Sequence, residues 1–520
     1  MSFPSKHLRS VRAVAMSLVS LACLAMPNAV GWAEAADRSP AGAAEPASSN
    51  EGNALAAGRP PDQTLIITPA KRRPGQRQLR FWPAAETRLA SDSASLFARA
   101  VLMTPEDGVE ERFAIGRLHK RAVAEMGGSP VKTDDVKGQR LIEMIDAAIE
   151  RNSSALDELR RARTMTTTPA DMALEGLDAT QFVELLLPEV QASRQLARLL
   201  VLRGYRQIQT QQWASLSDTV TDLFRLSEMV DGANEFLVTK LVQLAIVSMA
   251  HDLIATAWEN SDCPSFHYAL MTVPASLFAT RSSLEFEVGN LRRWFPELAE
   301  VPDDVDEADS RRRLRDAIQR VAQLSRDVGI GPNENSMQAT TMAFAFAMAT
   351  ESSSARQRLR ERFRWDGDRV DELGDAEAVL RDASARFNEA IDSALGIIYR
   401  PAESRAVAAE AWEQKYLVEN DSSELDPTRM VHQVLMPSIG AATEAGFRTR
   451  LRHELWIALE AIRLHTDEAF PTEWGQLEAY VPPSAASTRL ERLDPTRIRI
   501  LRSDVPSSET LQLLQLELSR

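Results

Sequence analysis

The chain has 520 residues, of which 44% are apolar and 26% are charged, a composition typical of globular proteins. Its net charge of −14 argues against binding to the phosphate backbone of a nucleic acid as its main task. Only 6% of the residues are aromatic, so the core must be built mostly from Leu, Ala, Val and Met. Because most of these residues are compatible with helices, the composition predicts a mainly α-helical protein.

The N-terminus has the pattern of a secretory signal peptide. Three basic residues, Lys6, Arg9 and Arg12, precede an apolar stretch from Ala13 to Met26, and small residues that suit cleavage follow. We predict a signal peptide over residues 1–35 and export to the periplasm or the medium. An uncleaved membrane anchor is the alternative, although the apolar stretch is shorter than the ~20 residues of a spanning helix.

Composition divides the rest of the chain into three parts. Residues 36–80 are rich in Ala, Ser, Gly and Pro and are predicted to form a flexible low-complexity linker. Residues 81–470 have helical patterning and are predicted to form one helical domain. Residues 471–520 are predicted to form a small α+β segment, since Ile498–Leu501 alternates like a short strand and residues 511–518 suit a strand or a helical turn. We expect β structure only in this C-terminal segment.

The clearest helices lie in the middle of the chain. An amphipathic period over Leu196–Leu202 is expected to slow or break at Gly204 and the polar run Gln207–Gln212. A second helix starts near Trp213 and ends at Asp231–Asn234, where a glycine suits a helix end. The third, Phe236–Trp258, is apolar nearly all round and is predicted to be a buried helix rather than a membrane span.

Further helices are predicted downstream. The acidic run that ends at Glu307 favours a helix start. Three more helices are predicted over Met337–Met348, Ala376–Leu395 and Ala441–Leu464. Because no clean 34-residue period is present, we predict an irregular antiparallel helical array or bundle, with tetratricopeptide-like pairs as one form it can take.

One group of residues has the chemistry for a metal site or a Cys–His pair: His251, Asp252, Glu259, Cys263 and His267. The simpler interpretation is a set of satisfied core polar groups and an interhelical turn, with Cys263 a buried structural thiol, the only cysteine left after signal cleavage. His453-Glu454 begins like a zinc-protease helix, but Ile457 occupies the place of the second histidine. For His453 and His465 we expect a solvated or capping role. We therefore assign no catalytic, cofactor-binding or metal-binding residue and expect no cofactor.

A dense basic run precedes Trp365 and consists of Arg356, Arg358, Arg360, Arg362 and Arg364. On a helix these side chains spread around much of the circumference. A solvated helix or an acidic partner surface explains them better than a nucleic-acid site in an exported protein.

Several short stretches resemble a set of exported helical proteins that are common in planctomycete-type bacteria. The stretches are Ser93–Ala100, Leu156–Ala162, the central region from Leu187 to Ala250, and Ala458–Pro482 followed by Asp494-Pro495. The last one departs from the family pattern, since Arg463 replaces Tyr, Glu468 replaces Gly, Trp474 replaces Leu, and residues 478–480 are additional. The Cys-Asp-Trp-Gly block of such proteins is missing. The resemblance implies export and a helical fold and implies no activity.

These observations lead to two alternative functions. We expect a non-catalytic protein-interaction or scaffolding module of the cell envelope, because helical arrays present extended surfaces to partners. Its partner would be another envelope or secreted protein, with no nucleic acid, and with a membrane contacted only through an uncleaved N-terminal segment. The alternative is an exported, hydrolase-like enzyme with its site in a cleft between helices.

Overall fold

A computed structural model of the chain describes residues 64–71, 79–84, 88–104, 108–126, 136–167, 179–233, 236–327, 351–401, 404–405, 408, 411–412, 437–465, 488–494, 497–502 and 511–518. The predicted signal peptide at 1–35, most of the predicted linker and the predicted helix Met337–Met348 lie outside these residues. The described residues are mainly α-helical, as the composition predicted.

The helices and strands are described in two groups, before and after the short turn at residues 259–266 that follows the most apolar helix. Before this turn, in chain order, lie β1 (Thr64–Ile67), β2 (Leu89–Asp92), α1 (Ala94–Met103), α2 (Gly108–Met126), α3 (Val136–Arg151), α4 (Ser153–Ala162), β3 (Met165–Thr166), α5 (Ala179–Gln209), α6 (Trp213–Ala233) and α7 (Leu237–Trp258). After it lie α8 (His267–Leu270), a 3-10 turn (Ala275–Phe278), α9 (Arg281–Trp294), α10 (Pro296–Ala299), α11 (Glu307–Asp327), helical residues 351–361, α12 (Gly367–Glu372), α13 (Asp375–Ile398), α14 (Pro437–His465), β4 (Thr488–Asp494), β5 (Arg497–Arg502) and β6 (Leu511–Leu518).

Helices α5, α6 and α7 follow one another through short connections and pack side by side. The α5–α6 contacts run in opposite directions along the two helices. Arg203 of α5 binds Asp222 of α6 at 2.5 Å, and one turn further along α5 Gln207 accepts a hydrogen bond from Thr219 at 2.8 Å. The predicted antiparallel pairing is therefore confirmed for these helices.

The predicted interruption is confirmed at the polar run Gln207–Gln212, where α5 ends at Gln209 and α6 begins at Trp213. It is wrong for Gly204, because α5 continues through this residue. The glycine marks a close approach between α5 and α7. A Cβ atom at Gly204 would lie 2.4 Å from Cδ2 of Leu253, and Leu253 is fully buried. The missing side chain thus lets the two helices pack closely.

Helix α7 is the one described helix that is long and apolar enough to cross a membrane, by length and composition alone. Within the fold, 78% of its apolar window is buried, as expected of a core helix. Its polar side chains have partners inside the protein. Lys240 forms an ion pair with Asp231 at 3.0 Å, and Gln243 donates to the carbonyl of Leu277 at 3.0 Å.

The buried apolar side chains form two main cores, and α7 and α14 contribute to both. The first core includes residues of α1 to α7, and the second includes residues of α9, α11 and α13. Leu237 at the start of α7 belongs to the second core and Leu241 packs against it, whereas Val242 and the buried apolar residues from Ile246 to Trp258 lie in the first. Likewise, Ala442 lies in the second core and Leu455–Ile462 in the first. These two long helices join the two halves of the helical region.

The expectation that β structure occurs only in residues 471–520 is wrong. A four-stranded sheet has the order β1-β6-β5-β4, and β1 pairs in parallel with β6 from Thr64 opposite Gln515 to Ile67 opposite Leu518. A second, two-stranded sheet joins β2 to β3. Strand β1 lies inside the predicted flexible linker 36–80, so the part of that linker at residues 64–71 is ordered. Its partner strand is at the opposite end of the sequence, and no local pattern marks the pairing.

We predict that Gly204→Ala destabilises the protein by about 1–3 kcal/mol, because the new methyl group would overlap a buried leucine that has no free space to move into. Gly289→Ala is the matched control, since it lies in helix α9 with no atom within 4 Å of the added Cβ. That control should be stabilising by roughly 0.5–1 kcal/mol through helix propensity. Urea denaturation checks both variants, and equal effects would contradict the close packing at Gly204.

Candidate functional site

The residues considered for a metal or Cys–His site do not act together. His251 and Asp252 of α7 are both bound to α14, by a ring contact to His453 and an ion pair to Arg452, respectively. Cys263 and His267 lie in and after the turn that follows α7. Among the described residues, no group of three or more His, Cys, Asp or Glu side chains is arranged to hold a metal ion.

The turn residues make contacts of a structural kind. The thiol of Cys263 lies 3.4 Å from the carbonyl oxygen of Pro264, and both Cys263 and His267 are buried. Nδ1 of His267 lies 3.2 Å from the carbonyl oxygen of Ile457 in α14. Burial lowers the pKa of His267 below its usual value, which favours the neutral ring. The interpretation of Cys263 as a buried structural thiol in an interhelical turn therefore fits the geometry.

A pair of buried histidines joins α7 to α14. Nε2 of His251 lies 3.0 Å from Nδ1 of His453, so one ring nitrogen donates to the other. The indole of Trp456 donates to the backbone carbonyl of His251 at 2.9 Å and packs against its ring. The solvated or capping role expected for His453 is wrong, because this residue is only 4% exposed. Burial lowers the pKa of His453 to about 4 and that of His251 well below 6.5.

A second buried polar cluster surrounds the carboxylate of Glu460, which lies two turns after His453 on α14. This carboxylate accepts hydrogen bonds from Trp258 Nε1 at 2.5 Å, Ser265 Oγ at 3.0 Å and Arg463 Nη1 at 2.9 Å. Arg463 also donates through Nε to the carbonyl of Thr68 at 2.9 Å. Both Glu460 and Arg463 are fully buried. Because every group of this cluster faces a partner inside the protein, its role is to hold elements together.

The basic run before Trp365 meets acidic partners within the chain. Four of its arginines form ion pairs, namely Arg356 with Asp375, Arg358 with Asp382 and Glu351, Arg360 with Asp371, and Arg362 with Glu389. The acidic side chains that pair with this run belong to α12, α13 and the helical residues 351–361 of the same chain. Arg364 differs from the others by a left-handed backbone conformation with φ of 56°.

The described residues form a pocket between α2, α3 and α5, near the end of α1. It encloses about 210 Å³. Its walls are mostly apolar and consist of Thr104, Ala114, Ile115, Leu118, Met144, Ala147, Ala148, Arg151, Asn152 and Gln195. The described lining residues include no His, Cys, Asp or Glu, so the pocket offers shape and apolar contact rather than acid–base chemistry.

Sequence reasoning missed this pocket for a physical reason. The lining residues come from three helices and a turn, and each residue alone looks like an ordinary core or boundary position. The one local signal is Met144, which is 45% exposed although it lies on the same face of α3 as core residues. Exposed methionines are frequent at surfaces that bind apolar partners, because their side chains adapt in shape.

No family model, no curated protein and no solved structure matches this chain.

We predict that the free energy of unfolding falls as the pH is lowered from 6.5 to 4. In this interval the unfolded chain protonates the imidazole of His453, whereas the folded chain keeps it neutral, so the loss from this residue reaches roughly 3 kcal/mol. His453→Gln should reduce the slope of unfolding free energy against pH, measured by denaturant titration. His465→Gln, at the exposed end of α14, is the control and should keep the wild-type slope. Identical slopes in wild type and His453→Gln would refute the prediction.

We also predict that Arg463→Met costs about 3–5 kcal/mol of stability, because it leaves the Glu460 carboxylate buried without its cation. The double variant Glu460→Gln, Arg463→Met removes both charges and should be more stable than Arg463→Met alone. Denaturant titration of the two variants and the wild type provides the comparison. A double variant less stable than the single one would argue against a buried ion pair at this place.

Proposed function

We propose that this chain is an exported, non-catalytic binding module that holds a partner protein of the cell envelope at the pocket between α2, α3 and α5. The observation that carries this proposal is the nature of the pocket, which combines about 210 Å³ of space with mostly apolar walls. A space of this size accommodates a benzene-sized group. The expected occupant is therefore one large apolar side chain projecting from a helix of the partner, as in other helix-in-groove complexes.

The distribution of titratable groups supports binding over catalysis. A catalytic cleft gathers acids, bases or nucleophiles around the bound substrate. Here two histidines whose pKa values are lowered by burial, His251 and His453, face each other between α7 and α14. The pocket is lined by other residues. No observation on the described residues favours the alternative of a hydrolase-like enzyme with an interhelical active site.

The test is recovery of a crosslinked partner from the native envelope fraction, compared between two methionine variants. Met144→Lys places a charge at the pocket and should reduce recovery of the partner by tenfold or more, since a buried unpaired charge costs several kcal/mol. Met271→Lys is the matched control, because Met271 is similarly exposed at 53% and lies outside the pocket lining. Circular dichroism verifies that both variants are folded.

Two results would count against the proposal. One is recovery of the wild-type protein alone, without a reproducible partner. The other is equal recovery of the partner with Met144→Lys and Met271→Lys, which would place the interaction elsewhere on the molecule.

A further inference from the structure

Two arginines on helix α5 have no described carboxylate partner, namely Arg194, which is buried, and Arg198, which is half-buried. They lie one turn apart and therefore on the same face of the helix. Two other arginines of α5 are ion-paired, Arg203 with Asp222 and Arg206 with Asp146. Arg194 and Arg198 differ from them in lacking a described carboxylate partner. This matters because removing a cation from water costs free energy unless an anion faces it.

Helix α2 forms the opposite wall of this cluster. A Cβ atom at Gly116 would lie 3.3 Å from Nη1 of Arg198, so the glycine leaves room for the guanidinium. His119 follows one turn later on α2 and is 2% exposed. Its Nδ1 atom has no hydrogen-bond partner among the described residues. A buried guanidinium (Arg194), a half-buried one (Arg198) and a buried imidazole (His119) therefore lie along the facing sides of these two helices.

Arg194 has unused donor capacity. It is 9% exposed, its Nε atom has no hydrogen-bond partner among the described residues, and its Nη1 atom makes one long hydrogen bond of 3.4 Å to Gln191. Burial and, to a smaller extent, the charge of Arg198 lower the pKa of Arg194 to about 10. Burial likewise lowers the pKa of Arg198. Both shifts have the direction expected of cations held away from water and from carboxylates.

Asp252 of α7 is a described carboxylate that acts on a group of this cluster. Its carboxylate raises the pKa of His119, against the larger effects of burial and of Arg198. Asp252 is already bound to Arg452 of α14 by an ion pair. It therefore cannot serve as the full counter-ion of the two arginines.

We propose that Arg194, Arg198 and His119 form a binding site for an oxyanion, a carboxylate or phosphate group held between α2 and α5. Guanidinium groups present parallel N–H donors that match the oxygen atoms of such anions, and two of them supply the compensating charge. The anion satisfies the free Nε donor of Arg194. The site is separate from the pocket, and the inference does not depend on the proposed function. The group can belong to a free ion or to an acidic side chain of a partner.

The experiment measures thermal unfolding of the full chain at constant ionic strength, with chloride replaced by 10 mM inorganic phosphate or by a glutamate-rich peptide. A stabilisation of about 2 °C or more by phosphate assigns the site to a free anion. Stabilisation by the peptide and not by phosphate assigns it to a protein carboxylate. Absence of both shifts in the wild type overturns the proposal.

Two variants on the same helix make the test specific. Arg198→Met should lose the anion-dependent shift, and in chloride alone it should melt at or above the wild-type temperature, because a desolvated cation is gone. Arg206→Met removes an arginine that already has a partner, so it should keep the shift and melt below the wild type. If Arg198→Met melts as far below the wild type as Arg206→Met does, then Arg198 has a partner inside the chain and the proposal is wrong. Arg194→Met repeats the test independently.

Discussion

The rest of this structure depends on the fact that helix α7 has no polar face. A helix that is apolar all round must be covered on every side, and here α5, α6, α9, α14 and the segment after β1 cover it. The few polar groups along α7 must then find partners in neighbouring elements. Lys240, Gln243 and His251 do so, through Asp231, a backbone carbonyl and a second histidine. These buried polar contacts arise because α7 is covered by other elements. They also favour packing of those elements that carry a matching polar partner.

The partnership of α7 with α14 brings distant parts of the chain together. His251 pairs with His453 and Trp258 with Glu460, so positions advance in the same direction and the two helices are parallel. Parallel neighbours need a long connection, and the elements of the second core lie within it. At their carboxyl ends the backbone of Thr68 donates to the carbonyl of Trp258, which satisfies a helix-end group that would otherwise be unpaired. The chain segment next to β1 is thereby fastened to the helical core.

The two features with binding chemistry lie away from this central pairing, where α5 meets α2. Adjacent residues of α5 belong to the two features, because Arg194 is part of the cationic cluster and Gln195 lines the pocket. On α2, Leu118 lines the pocket and His119 is part of the cationic cluster. Helix α5 is held on its other flank by α6 and α7, which gives these side chains a rigid support. A buried, unpartnered cation lowers stability, so its presence on a well-supported helix is consistent with a binding role.

The sequence by itself determined the mainly helical class, the burial of α7, and the approximate bounds of α6, α13 and α14, because composition and the 3.6-residue apolar period are local properties. It also suggested several local features that packing overruled. Gly204 looked like a helix break and is a contact point with Leu253, while His453 looked solvated and is enclosed in the core. Only the tertiary structure decided the pairing of β1 with β6, the pocket, and the environment of Arg194. Each of these depends on groups far apart in the chain, whose spacing in sequence carries no information about their distance in space.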